Sequence, residues 1–147
     1  MFSFWSFLLI VHLIGLALCV GSATAKILLL LKCNRDYKLV PDYLKVAKLL
    51  TQLIVLGMIL ITLSGIIWLI LGYGFTTLLI VKLIFVGLVW VIGPFIDNII
   101  EPKFRQLASA SGEAPTQVFI QVQKKYLVLE VIATLLFYTI VVLGVLL

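Results

Sequence analysis

The chain has 147 residues, of which 64% are apolar and only 12% are charged, and its formal net charge is +5. Soluble globular domains are about 45–50% apolar and about 25% charged, and a core of this length cannot hide the excess apolar surface from water. The composition therefore excludes an ordinary water-soluble enzyme, a disordered chain and a small disulfide-built secreted module.

Four stretches are long and apolar enough to cross a bilayer, which requires about 20 consecutive apolar residues in a helix. They cover residues 2–31, 47–71, 76–96 and 119–147. None alternates polar and apolar residues as barrel strands do, and only a helix satisfies its own backbone inside lipid. We therefore predict an all-α fold with one transmembrane domain over residues 1–147, an integral membrane four-helix bundle with antiparallel up-down topology.

The first span is predicted to be an uncleaved helix with one polar face. The segment 23–25 resembles the cleavage site of a signal peptide, but no positive charge precedes it and the apolar run continues beyond it. Spacings of three and four place five small or polar residues on one face: His12, Gly15, Cys19, Ser22 and Lys26. A stripe of this kind faces other helices rather than lipid.

The other spans also carry polar residues on particular faces. The second span contains Gln52, Thr62, Ser64 and Gly65. The third has Lys82, Val86, Trp90, Gly93 and Asp97 on one face, and the fourth has Glu130, Thr134 and Tyr138 on one face. Gly93-Pro94 predicts the end of the third span. By their distance from the predicted helix ends, Ser64, Thr62 and Tyr138 fall at the level of His12 and Lys82, roughly 9–15 Å below one surface. Lys26 and Glu130 fall in the opposite layer, and we expect them to form a structural ion pair.

Loop charges predict the orientation of the spans. Basic residues concentrate in segments 32–48 and 97–125, whereas segment 72–75 carries no charge. The positive-inside rule places both basic loops in the cytoplasm and both termini outside, and we expect the bilayer to be a bacterial inner membrane. The basic residues then serve topology and lipid headgroups, so no nucleic-acid partner is expected. Residues 102–116 predict a flexible break, with residues 104–107 on the membrane surface.

Lys82 is the most informative charge in the apolar spans. Apolar residues flank it on both sides, so the side chain must reach the headgroups, lose its proton or find an anionic partner. We expect no acidic residue of this chain in the same layer. The anionic partner would then come from outside the chain: a carboxylate of a bound cofactor, a lipid phosphate or another subunit.

Two features of the sequence form a recognisable pattern. The first helix has a histidine in segment 12–15, followed by the small residues of segment 20–22, and the third has a lysine within segment 78–83. This pattern resembles the small membrane family of HemJ, the protoporphyrinogen oxidase, and the membrane region of CopD-type copper proteins. The resemblance implies b-type haem, with His12 as axial iron ligand and Lys82 as its partner.

Further residues near His12 suit a flat macrocycle. Gly15 and Cys19 are small enough for the macrocycle to approach the first helix. Tyr138 is the candidate cofactor-binding residue from the fourth helix. Lys82 would pair with a propionate or coordinate the iron. The iron would be five-coordinate, ligated by His12 and Lys82, or shared across a homodimer.

Two functions from different classes follow from these observations. The first is a haem-binding or tetrapyrrole-binding membrane protein with a redox role. The second is a non-catalytic accessory or assembly subunit of a larger membrane complex, in which Lys82 pairs with a neighbouring subunit. The sequence leaves open whether the protein is an enzyme.

Overall fold

The computed structural model describes residues 3–72, 74–108 and 114–147. In these ranges the chain forms five α-helices and no strand. They are α1 (Phe4–Arg35), α2 (Val40–Ile70), α3 (Thr77–Phe95), α4 (Glu101–Leu107) and α5 (Gln117–Leu146). A 3-10 turn (Tyr37–Leu39) joins α1 to α2, and a π-helical turn (Ile96–Ile100) joins α3 to α4.

Four helical segments are long and apolar enough to span a membrane, which confirms the prediction of an all-α fold with four long apolar helices. They are Phe4–Arg35, Tyr37–Ile70, Thr77–Leu107 and Gln117–Leu146. Large apolar side chains cover much of their outward surface, as is expected of helices whose solvent is lipid.

The first two helices are longer than the apolar stretches that predicted them. Helix α1 continues to Arg35, and α2 begins at Val40 with Pro41 in its first turn. The predicted basic loop over 32–48 is therefore largely helical. A fall in hydropathy marks the point where a helix leaves the lipid. The helix itself can continue beyond that point, because charged side chains are compatible with further helical turns. Lys32 and Arg35 suit the last turn of α1 because cations stabilise the negative end of the helix dipole.

Helix α3 ends at Phe95, next to the stop predicted at Gly93-Pro94, but the chain stays helical beyond it. Proline lacks the backbone N–H and disrupts the preceding turn of an α-helix, and here the wider π-helical turn after Pro94 restores helical pairing. The side-chain amide of Asn98 donates to the carbonyl oxygen of Pro94 at 2.9 Å. Helix α4 follows directly, and Pro102 lies in its first turn, where proline is tolerated. The helix therefore runs on from Thr77 to Leu107.

Helix α4 packs against the core through Glu101 and Phe104. Phe104 is completely buried. Its ring centroid lies 5.2 Å from the centroids of Phe119 and Tyr126. The predicted flexible break is thereby shortened. Its residues Ser109, Ser111 and Gly112 lie outside the described residues.

Helices α1 and α2 approach each other closely at a pair of glycines. A Cβ atom on Gly15 would lie 2.8 Å from the carbonyl oxygen of Gly57, and one on Gly57 would lie 2.6 Å from the carbonyl oxygen of Gly15. Small residues at such points let two helices pack backbone against backbone. This contact sets how α1 is rotated against α2, and so decides which of its side chains reach the sites described below.

Candidate functional site

A cavity of about 390 Å³ lies where α1, α2, α3 and α5 meet, and is called here the His12 cavity. His12 and Lys82 both line it. The remaining lining is mostly apolar: Trp5, Ile61, Thr62, Gly65, Ile66, Trp68, Leu69, Leu79, Leu83, Val86, Gly144 and Leu147. Its size lies at the lower end of the range of about 300–1,000 Å³ that is typical of small-molecule sites.

Ser64 of α2 is the side-chain hydrogen-bond partner of His12. Nδ1 of His12 lies 2.8 Å from Oγ of Ser64. The serine hydroxyl has a single hydrogen, and the backbone carbonyl oxygens of Leu60 and Ile61 lie within its reach at 2.7 Å and 3.0 Å. When that hydrogen is donated to one of these carbonyls, Oγ accepts a hydrogen bond from a protonated Nδ1. In a neutral ring Nε2 then keeps its lone pair, as a metal-ligating or proton-accepting histidine requires.

Aromatic packing holds the His12 ring in place. Its centroid lies 5.0 Å from the ring centroid of Trp68, with an interplanar angle of 41°. The contact with Trp68 and the hydrogen bond to Ser64 both come from α2. The imidazole is therefore fixed against that helix at the wall of the cavity.

Lys82 reaches the same cavity from α3. Its Nζ would lie 3.1 Å from a Cβ atom on Gly144 of α5, so the ammonium group packs against the glycine surface of that helix. The five acidic side chains that the structure describes lie elsewhere. Asp36 caps the 3-10 turn, Asp42 is exposed, and the other three surround Lys26.

The other predicted cofactor residues do not line the His12 cavity. Gly15 packs against α2, and the completely buried Cys19 donates a hydrogen bond from Sγ to the carbonyl oxygen of Ile54 at 3.3 Å. These two residues of the small face of α1 therefore pack against α2.

The predicted level of Tyr138 is wrong. The hydroxyl of Tyr138 lies 2.9 Å from the hydroxyl of Thr24. Thr24 follows His12 by twelve residues, which corresponds to about 18 Å along α1. Distances counted from predicted helix ends misplace a residue when those ends are misassigned or when neighbouring helices are shifted along each other.

A second polar site surrounds Lys26, whose side chain is 1% exposed. Its Nζ lies 2.6 Å from Oε1 of Glu130, 3.2 Å from Oε2 of Glu101 and 3.4 Å from Oδ1 of Asp97. It also donates a hydrogen bond to Oγ1 of Thr51 at 2.9 Å. These five residues are called here the Lys26 cluster. The ion pair predicted between Lys26 and Glu130 is present. Two further carboxylates, those of Glu101 and Asp97, lie around the same ammonium group.

Two tyrosines and an arginine extend the cluster. The hydroxyl of Tyr126 donates to Oε2 of Glu101 at 3.1 Å, so the hydroxyl of Tyr43, 2.8 Å away, is the donor to Tyr126. Arg105 donates to Oε1 of Glu101 at 3.2 Å. Glu101 therefore accepts hydrogen bonds from Tyr126 and Arg105 and forms an ion pair with Lys26.

The sequence analysis did not identify Glu101, Thr51 or Tyr126 as site residues. Glu101 was missed because the third span was expected to end near Pro94. The four-residue spacing of Asp97 and Glu101 was the available signal, since residues four apart share a face of a continuous helix.

Comparison of the chain with models of protein families, with curated proteins and with solved structures finds no significant match. Within the described ranges, no three His, Cys, Asp or Glu side chains are grouped so as to hold a metal ion.

Proposed function

We propose that the chain is an integral membrane protein that binds b-type haem or a related tetrapyrrole in the His12 cavity and has a redox role. The observation that carries this proposal is the placement of His12 and Lys82 in one mostly apolar cavity, with Nδ1 of His12 held 2.8 Å from Oγ of Ser64. The anionic partner expected for Lys82 would be a propionate of the same group.

The proposed membrane topology is an antiparallel up-down bundle with both termini outside. Contacts between α1 and α2 support it, because residues that come later in α1 meet residues that come earlier in α2. His12 meets Ser64, whereas Lys26 meets Thr51. The two connections that carry basic residues would face the cytoplasm of a bacterial inner membrane.

The residues present fit a haem group in three respects. His12 supplies a neutral imidazole, which is a common axial ligand. The mostly apolar lining excludes water from the group. Lys82 supplies a cation at the same cavity, and pairing with a carboxylate lowers the cost of keeping that cation in an apolar setting.

In this proposal the chain positions the group, which when bound supplies one-electron redox chemistry. Ser64 holds the proton on Nδ1 of His12 and thereby orients Nε2 for ligation. Trp68 restricts rotation of the imidazole. Lys82 neutralises a propionate and sets the orientation of the group within the cavity.

An absorbance spectrum of the purified protein, oxidised and reduced, tests the proposal directly. A Soret band is expected either as isolated or after haem addition, and His12→Ala should abolish it. Ser64→Ala keeps the ligand but removes its orienting partner, so affinity should fall by about 10–100-fold, as for other residues that orient metal ligands. Tyr138→Phe is the matched control, because Tyr138 lies outside the cavity, and should leave the band unchanged. Failure of added haem to bind, or a band that His12→Ala leaves intact, would refute the proposal.

The placement of Lys82 also supports a second candidate function, that of a non-catalytic accessory or assembly subunit. Lys82 lies at a mostly apolar cavity, and in this second function a carboxylate of a neighbouring subunit would pair with it. Stoichiometric co-purification of other chains at native expression, lost in Lys82→Met and without any Soret band, would favour this function over the first.

A further inference from the structure

The charges of the Lys26 cluster do not balance if all its groups are ionised. Three carboxylates surround Lys26, and the second cation in contact with them is Arg105, which pairs with Glu101. One negative charge is left over. The side chain of Glu130 is 5% exposed and that of Glu101 is 10% exposed, and an uncompensated charge at such a place is very costly.

The hydrogen bonds indicate which carboxylates can take up a proton. Glu101 accepts hydrogen bonds from Arg105 and Tyr126 and also contacts Lys26, so three side chains surround it. Asp97 and Glu130 each contact Lys26 but receive no further side-chain donor among the described residues. Two carboxylates that share one cation behave as a coupled pair, in which a single proton belongs to both.

A cavity of about 60 Å³ adjoins these two carboxylates, and is called here the inner cavity. Lys26, Asp97, Glu130 and Thr134 all line it. Thr134 is 5% exposed, and its hydroxyl oxygen has no hydrogen-bond partner among the described residues. A water molecule occupies about 30 Å³ in the liquid and needs two to four polar partners. The inner cavity has both the room and the polar groups for water.

We propose that Asp97 and Glu130 form an intramembrane proton-binding site, which holds one shared proton and exchanges it through water in the inner cavity. Asp97 is the entry side, because its side chain is 24% exposed whereas that of Glu130 is 5% exposed. The proton comes from bulk water and returns to it. The ligand is a proton rather than a metal cation, because the Lys26 ammonium already lies among the carboxylates and would repel a metal ion.

Four of the helices around this site contribute titratable or charged groups that face the two carboxylates, whereas α3 lines the inner cavity with Val89, Trp90 and Gly93. Helix α1 contributes Lys26, α4 contributes Glu101 and Arg105, α5 contributes Tyr126, and α2 contributes Tyr43 through its hydrogen bond to Tyr126. The two tyrosines are neutral donors in this arrangement, so they leave the surplus negative charge in place.

Infrared spectroscopy of the full chain in lipid nanodiscs tests the proposal, because a protonated carboxyl and a carboxylate absorb separately and the former shifts in heavy water. At neutral pH the wild-type protein should show one protonated carboxyl per chain. Glu130→Gln and Asp97→Asn should each abolish that band, since removing either carboxylate balances the remaining charges. Lys26→Met should double it. Asp42→Asn, which alters an exposed carboxylate paired with Lys45, is the matched control and should leave it unchanged.

The wild-type spectrum decides the proposal even if a variant fails to fold. No protonated carboxyl at neutral pH would overturn it. A band that persists in a folded Glu130→Gln or Asp97→Asn protein would also overturn it, because the proton would then reside elsewhere. So would a band that disappears on addition of sodium ions, because the site would then hold a metal cation.

Discussion

Replacing Gly57 by alanine should push α1 and α2 apart. The added Cβ would lie 2.6 Å from the carbonyl oxygen of Gly15, 2.8 Å from Sγ of Cys19 and 2.9 Å from the backbone nitrogen of Cys19. Two of these three atoms belong to the backbone, so a change of side-chain rotamer cannot relieve the contact. The helices themselves must move.

The magnitude follows from those distances. Non-bonded atoms are most stable about 3.5–4.0 Å apart, so the helices must separate locally by roughly 1 Å. Overpacking of this kind costs about 1–3 kcal/mol. Alanine also favours a helix over glycine by about 1 kcal/mol, and Gly65→Ala, where nothing lies within 4 Å of the added Cβ, gains the same preference. The two variants should therefore differ by about 1–3 kcal/mol in free energy of unfolding.

Equilibrium unfolding in mixed micelles, followed by circular dichroism, measures that difference. Thiol labelling gives a second readout in a Cys33→Ala background, where Cys19 is the remaining cysteine. Cys19 is completely buried against α2, so Gly57→Ala should accelerate its labelling and Gly65→Ala should not. Equal stability and equal labelling of the two variants would refute the close packing of α1 and α2.

Three further changes test other parts of the structure, each by the free energy of unfolding in mixed micelles. Lys26→Met removes the cation from three carboxylates, of which Glu101 and Glu130 are buried, and should cost about 3–5 kcal/mol; wild-type stability would contradict the ion cluster. Tyr126→Phe removes one donor to Glu101 and should cost about 1–2 kcal/mol; no loss would mean that this hydrogen bond does not form. Gln123 is 1% exposed, and both polar atoms of its amide lack a partner among the described residues. Gln123→Met should therefore stabilise the protein by about 1 kcal/mol, and a loss of stability would show that the amide is satisfied.

Hydropathy predicted the four long helices because it measures the property that lipid selects. It misplaced their ends for the same reason, since a helix continues past the point where its side chains become polar. Pro94 shows the difference clearly. A proline after an apolar run indicates a stop, but a single π-helical turn allows the chain to remain helical as far as Leu107.

The polar sites were predictable to different degrees. The pairing of Lys26 with Glu130 could be anticipated from their depth, whereas Glu101 depended on the unrecognised continuation of α3 into α4. The sequence predicted that His12 and Lys82 lie at the same depth in the bundle, and in the structure both line one cavity. That Gly15 and Cys19 would lie outside this cavity was not anticipated. Their placement depends on the rotation of α1 against α2, which the contact at Gly57 determines. The sequence pattern of one helix does not contain that information.

The two polar sites stand at separate ends of α1. Lys26 follows His12 by 14 residues, which corresponds to about 21 Å of helix. A cluster of buried residues packs between them: Cys19, Ala23, Met58, Val89, Phe137 and Ile140. In the proposed membrane orientation this stretch would act as a dielectric barrier, and most of the transmembrane voltage would fall across it. The proton at one end and the histidine at the other would then each equilibrate with its own side of the bilayer, electrically insulated from one another.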